Sequence, residues 1–351
     1  MTRRIEEHVT KHISRQILLV DMKDFTGMFS TSRPPPSNKT LERVDEIWID
    51  ASYDPIILDR EPFKTVVEKI TALNPNTKIL TGDFRHYYTK KENILYCPFW
   101  FLGLSPIDNF VPKNQRRFKF SCLNRQPKPH RLMNFCLFLS AAYSNDSCVS
   151  FWGQHTYDPI PMILNQSQQS FLKLKNQLMI KNLLKICNDS NLNKIFSTLE
   201  HSMPYHPYEP DYDGSNDHAI THPAYSDTYI NVVTETSCDF ENVYNHSDGP
   251  LITEKTIKPL LARQLFLMCA DSGSVQFLRD IGIDVFDDVI DHGYDSIYGF
   301  KEKTYAIHQE LDRLSHMDLP TLFQRLEPRL EKNYKKLFDE KFLRRLTHQL
   351  V

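Results

Sequence analysis

The feature that most constrains this fold is the run LFLMCA at residues 265–270, six apolar residues without a polar break. A run this short and continuous, placed after a helix, reads as a parallel strand buried on both faces. The helix comes from residues 251–264 (LITEKTIKPLLARQ). Thr253 is placed to cap it, its hydroxyl accepting from a free N–H of the first turn. Glu254 suits the positive end of the helix dipole. Ile257, Leu260 and Leu261 supply an apolar face at helical spacing. Free N–H groups with Lys255 beside them form a natural anion site. A small-residue loop follows the strand at Asp271, Ser272, Gly273 and Ser274. Helix, buried strand and loop together amount to half of a nucleotide-binding α/β domain.

From the N-terminus, residues 16–21 (QILLVD), 46–50 (EIWID) and 78–81 (KILT) read as strands. Residues 62–73 read as a helix through Phe63, Val66, Val67 and Ile70, broken around Pro75. Strand, helix and strand in this order imply a parallel sheet, so residues 1–112 form one Rossmann-like domain. Ligands bind beyond the carboxyl ends of such strands. Asp83, with Arg85 and His86, lies just there. Asp83 is the first candidate for a general base, with Asp21, Asp24 and Asp50 behind it. The plainer alternative is that Asp83 only shapes the turn. The aromatic run at 96–104 (YCPFWFLGL) reads as core or an interdomain wall, and otherwise as a stacking surface for an acceptor.

Residues 116–123 (RRFKFSCL) form a strand with a basic start, followed by a basic loop through Arg125 and Arg131, a helix over 132–142 and a strand at 148–152 (CVSFW). Arginine forks match phosphate oxygens and a helix start adds its dipole, so this order suits a phosphate. The sequence does not choose between Arg125 and Arg131. No glycine-rich fingerprint follows a strand, which argues against an NAD-type site. A helix is expected over 166–186 and a polar surface loop with a helical continuation over 188–195. Residues 201–229 are rich in proline, tyrosine and histidine and read as an insertion loop or partner surface. His218 and His222 have the spacing of a metal pair but lack the HExxH glutamate, and Pro223 follows directly. Residues 229–234 (YINVVT) form a strand, with Glu235 just past its end. A helix over 274–281, a short strand at 282–286 (GIDVF), an acidic turn-rich stretch at 287–298 and helices over 304–314 and 319–350 complete the chain.

At 351 residues, two domains are expected. With 40% hydrophobic and 25% charged residues the composition is that of a globular protein. The net charge of −2 does not announce a nucleic-acid binder. Local patches at Arg116, Arg117, Lys119, Lys128 and the last helix remain open as a DNA track. The seven cysteines are scattered and odd in number, which favours reduced thiols and a cytoplasmic setting. No apolar run approaches membrane-spanning length, and residues 1–15 lack a signal-peptide core.

Thr253-Glu254-Lys255 opening a helix, the apolar strand behind it and Glu235 between Thr234 and Thr236 resemble the donor-binding segment of fucosyltransferase-type glycosyltransferases with the GT-B fold. The resemblance spans the C-terminal two thirds of the chain. It implies two Rossmann-like domains facing a cleft: residues 1–112 on the acceptor side, 113–318 binding a nucleotide sugar, and a helical segment at 319–351 whose last helix crosses back to the first domain. It implies a nucleoside diphosphate sugar as donor, held by Glu235, Thr253, Glu254, Lys255 and either Arg125 or Arg131, with Asp83 as base. The reaction would be inverting and metal-independent, with no cofactor. The acceptor would be a glycan or, as in some bacteriophage enzymes, a hydroxylated base in DNA. The rival is a non-catalytic α/β protein that binds a nucleotide.

Overall fold

The computed structural model describes residues 17–21, 38–51, 63–89, 92–102, 104–107, 110, 112–113, 115–124, 128–151, 178, 181–182, 185, 189–199, 220, 222–239 and 251–348. The chain divides into two units. Unit 1 comprises Met1–Pro106, Phe240–Thr253 and Lys335–Val351, and unit 2 comprises Ile107–Asp239 and Glu254–Tyr334. The first boundary thus falls six residues before the expected one at 112. Residues 319–351 are not a segment of their own, because they are shared between the units, and the chain ends in unit 1.

Unit 1 holds β1 (Ile17–Asp21), β2 (Glu46–Ala51), β3 (Thr77–Thr81) and β4 (Ile94–Tyr96), all parallel and in sequence order. Strand β2 is buried along its whole length. Ile47, Ile49 and Ala51 pack with Ile70 of the Phe63–Leu73 helix, and Val66 and Val67 border the cluster. Those are the apolar positions that predicted the helix. Asn74 ends it: its side-chain amide donates to the carbonyls of Leu41 and Val44 at 3.2 and 3.0 Å. Of the aromatic run, Phe99–Phe101 form one buried 3₁₀ turn, which is the core reading. Leu251 pairs with Asp83 in an isolated antiparallel bridge just past the carboxyl end of β3.

Unit 2 holds β5 (Phe118–Asn124), β6 (Ser147–Phe151), β7 (Thr228–Thr234) and β8 (Leu265–Cys269), parallel in the order β6-β5-β7-β8. Every residue of β7 and β8 is buried, as their unbroken apolar character requires. From β5 the chain steps to one side for β6 and to the other for β7, so the strand order reverses between β5 and β7. That is where an open parallel sheet leaves a crevice for a ligand. The expected strand at 282–286 is absent. Gly282 and Phe286 both take positive φ, 83° and 64°, and the Asp284 carboxylate accepts from the Phe286 N–H at 2.9 Å, so the segment turns. The expected 319–350 helix is two, Leu319–Lys336 and Glu340–Leu346, because Asp339 caps the second by accepting from the Lys341 N–H at 2.8 Å. Of the expected 166–186 helix, residues 178, 181, 182 and 185 are described and are helical, and residues 201–219 lie outside the described residues. No helix among the described residues is long and apolar enough to cross a membrane. Both units are α/β with parallel sheets, of Rossmann-like kind.

Candidate functional site

The reversal point is built by the ends of β5 and β7. Asn124 closes β5 and Thr234 closes β7, and the Thr234 hydroxyl donates to Asn124 Oδ1 at 2.6 Å. The chain leaves β5 for the Pro129–Ser140 helix, whose Pro129 needs no N–H in the first turn. That turn carries His130 and Arg131, both buried. Each donates to the Glu235 carbonyl at 3.0 Å, His130 through Nε2 and Arg131 through Nη2. A carbonyl can only accept, so the neutral His130 ring carries its proton on Nε2. Arg131 also reaches the Thr234 carbonyl at 3.3 Å. Its Nε, equally buried, meets no acceptor among the described residues.

The second wall is the Glu254–Leu261 helix. Thr253 stands immediately before it and is buried. Thr256 donates to Glu235 Oε1 at 2.5 Å, and the other carboxylate oxygen accepts from the Thr236 N–H at 3.2 Å. Lys255 donates to Glu254 at 2.7 Å and to the Thr236 hydroxyl at 3.3 Å. Lys128 donates to the Thr236 carbonyl. The helix ends in a Schellman turn: Gln264 N–H bonds the Pro259 carbonyl and Arg263 N–H that of Leu260. Arg263 holds the left-handed position at φ 51°, where glycine is usual. Stacking over Tyr334 at 3.6 Å and an ion pair with Glu331 hold it there.

Four candidates from three separate stretches, Arg131, Glu235 and the adjacent Glu254 and Lys255, therefore meet in one place. They are not equivalent. Glu235 is fully buried and Arg131 nearly so, whereas Lys255 keeps 31% of its side chain exposed and Glu254 21%. Burial lowers the Arg131 pKa, and the carboxylates of Glu235 and Glu254 work against that shift. Burial raises Glu254, but Lys255 and Lys258 outweigh it and leave its carboxyl below the ordinary range. Burial and the cations Arg131 and Lys128 keep His130 neutral. Lys255 and Glu254 are thus the polar groups a ligand can reach, and Arg131, His130 and Glu235 form the frame beneath them.

Behind this frame is a network that the motifs did not reveal. Lys303, on the Phe300–Ser315 helix, is 1% exposed. It donates to the Asp239 carboxylate, to the Ala270 carbonyl at 2.7 Å and to the Ser272 hydroxyl at 3.1 Å. Asp239, at φ 41°, also accepts from the N–H and hydroxyl of Ser272, both at 2.8 Å. Its own N–H donates to Asp271, whose carboxyl is pushed up to about 6 by burial. Burial works to lower Lys303, yet Asp239 and the nearby Cys238 and Cys269 hold it above its ordinary value. These bonds tie the loop carrying Glu235 and Thr236 to the end of β8, at the point where the chain leaves unit 2. The available signal was a lysine four residues before Ile307 on an otherwise apolar stripe.

The other candidates lie elsewhere. Asp83 belongs to unit 1, and both its oxygens are held by Arg85, at 3.0 Å from Nε and 2.5 Å from Nη2. Asp50 is buried inside β2. Arg125, Asp24 and the Asp21 side chain are outside the described residues. Arg116, Lys119 and Lys128 each bond a carbonyl of the chain. Arg116 is buried on the Thr228 carbonyl at 2.6 Å, Lys119 bonds the Ser315 carbonyl at 2.9 Å, and Lys128 is bonded as above. His222 caps the Pro223–Asp227 helix, its Nδ1 accepting from the Ala224 N–H at 3.1 Å. His218 lies outside the described residues. The six described cysteines are buried thiols outside any disulfide. Among the described residues no group of three or more His, Cys, Asp or Glu side chains is disposed to hold a metal ion. The acidic stretch at 287–298 lines a separate groove of about 920 Å³ with Arg279 and Arg313.

No protein-family model, curated protein or solved structure matches the chain.

Proposed function

We propose that unit 2 binds a nucleoside diphosphate sugar at the ends of β5 and β7, and that the chain is a GT-B-like glycosyltransferase that moves the sugar to an acceptor hydroxyl. The observation that carries this reading is the convergence of Arg131, Glu235, Glu254 and Lys255 at the strand-order reversal of a parallel sheet. Lys255, partly exposed at a helix start, is the cation that would meet the diphosphate. As the glycosidic bond breaks, negative charge grows on the leaving diphosphate, and a fixed cation there lowers the barrier. Glu254, held ionised by Lys255, would accept from ribose or sugar hydroxyls. Arg131 and Glu235 would act by fixing the loop and the helix start. Thr253 would set the register of that start, and Arg125 remains a second candidate for the diphosphate. Asp83 would take the acceptor proton, the acceptor being a glycan or a hydroxylated base in DNA.

One observation favours a second reading, a nucleotide-binding protein without turnover: both oxygens of Asp83 are engaged by Arg85. Isothermal titration with nucleoside diphosphate sugars and a hydrolysis assay without acceptor separate the two. Lys255→Ala should weaken donor binding about 10- to 100-fold, the worth of one charge-assisted contact. Undiminished affinity in a folded variant refutes the donor assignment. Tight donor binding with no turnover selects the second reading.

A further inference from the structure

The end of the chain presents a charged face that the donor reading leaves unused. In the Glu340–Leu346 helix, Phe342 and Leu346 are buried, and Phe342 meets Phe101 edge-on at 5.9 Å. Lys341, Arg344 and Arg345 are exposed. Their spacing of i, i+3 and i+4 puts them on one face, and the exposed His348 follows just past the helix end. Glu340 approaches Arg344 at 3.5 Å with 86% and 72% of the side chains in solvent. Such a pair holds little charge back. Three exposed cations thus stand on this helix beside the carboxylates of Glu340 and the capping Asp339.

A basic helical face is by itself commonplace. Here its neighbours give it a use. The His348 ring meets Tyr87 edge-on at 5.4 Å, and Tyr87 meets Tyr88 at 5.5 Å. Tyr88 is 51% exposed, which leaves its ring open to solvent. Both tyrosines close the short Arg85–Tyr88 helix, which follows Asp83 at the carboxyl end of β3. Basic face, aromatic step and candidate base adjoin in that order within unit 1.

We propose that this face binds a nucleic acid strand, with Lys341, Arg344 and Arg345 on phosphates and Tyr88 stacked on a base. Its role as the acceptor polymer rests on the transferase reading, whereas the binding does not. Arginine forks match phosphate oxygens, and a tyrosine ring stacks on any unpaired base. An anionic membrane is the poorer fit, because Phe342 and Leu346, the apolar side of the helix, are buried and do not reach the acyl region. Lys341 to His348 spans about 10 Å at roughly 1.5 Å per residue. That covers about three phosphates of one strand, so the affinity for single-stranded DNA should vary with salt with a slope near −2.

The test is fluorescence anisotropy of the full chain with a labelled single strand of about 20 nucleotides, at about 50 and about 200 mM salt. Wild type should bind at the lower salt and lose about 20-fold at the higher. The triple variant Lys341→Glu, Arg344→Glu, Arg345→Glu should lose at least that much at low salt and show almost no salt slope. Tyr88→Ala should bind about 5- to 100-fold more weakly with its slope unchanged. Unaltered thermal unfolding of both variants establishes that they fold. No binding by wild type, equal binding by the triple variant, or binding to phosphatidylserine vesicles in place of DNA overturns the proposal. The two readings fail separately. Absence of any response to nucleotide sugars with DNA binding intact removes the transferase, and the reverse result removes only this face.

Discussion

Lys303→Met is predicted to be among the most damaging single substitutions in unit 2. The side chain is 1% exposed and its Asp239 partner 4%. Methionine keeps the volume but removes the charge and three donated hydrogen bonds. It leaves the Asp239 carboxylate buried with Ser272 as its remaining described donor. Stranding one member of a buried ion pair costs about 3–5 kcal/mol. For a unit of this size each kcal/mol shifts Tm by roughly 2–4 °C, so its transition should fall by about 6–20 °C. The double variant Lys303→Met, Asp239→Asn removes the stranded charge as well. It should recover more than about 1 kcal/mol relative to Lys303→Met alone, an interaction that adjacent groups show and independent ones do not. Urea unfolding of the wild type, both single variants and the double variant measures this cycle. A loss below about 1 kcal/mol for Lys303→Met, or additive effects in the double variant, would mean that the pair is not the buried anchor described.

Three further outcomes are expected. Thr256→Val removes a donor from the buried Glu235 carboxylate; it should cost about 1.5–3 kcal/mol in urea unfolding, and Thr256→Ser should restore most of it. Burial pushes His308 down to about 3, so the folded state binds fewer protons than the unfolded one between that value and about 6.5. Its contribution is complete above that window and is lost as pH falls, by about 1.4 kcal/mol per unit; stability measured at pH 7 and pH 5 should decline less in His308→Gln, and an identical decline would exclude the ring. Asp83→Asn should abolish transfer while leaving donor affinity within about twofold; retained turnover would move the search for a base to Asp21, Asp24, Asp50 and His86.

The elements that sequence patterns revealed are those with long or unbroken apolar signals. Strands β2, β7 and β8 lie within a residue or two of their expected positions because burial on both faces requires such runs. The site was legible in part for the same reason: Glu235 stands just beyond one of those runs, where a parallel strand ends, and Lys255 opens the helix that leads into another. What was not legible depends on partners distant in sequence. Strand β4 is three residues long and shows no period. Residues 282–286 have strand-like composition, but the Asx turn at Asp284 and the left-handed Phe286 reverse the chain, and the Asp284 N–H goes to Asn333 at 2.9 Å, far along the sequence. The Schellman turn at Arg263 lacks the glycine that would have announced it. Leu251 joins unit 1 through its bridge to Asp83, far from it in sequence. Arg131 is one of two phosphate candidates by its charge, yet its burial comes with the Thr234 and Glu235 carbonyls it donates to, more than a hundred residues along the chain, which no motif encodes.

The central claim is that the cluster around Lys255 holds a nucleoside diphosphate sugar. Thermal unfolding against a panel of such donors, in wild type and in Lys255→Ala, tests it most directly. A ligand that binds only the folded state stabilises it by mass action, by about 2.7 kcal/mol at a hundredfold excess over Kd. The account predicts a rise of several degrees with one nucleotide sugar, a smaller rise with the matching nucleoside diphosphate, and little response from Lys255→Ala at the same concentration. No response from wild type to any donor in the panel, or an equal rise in the variant, would contradict it.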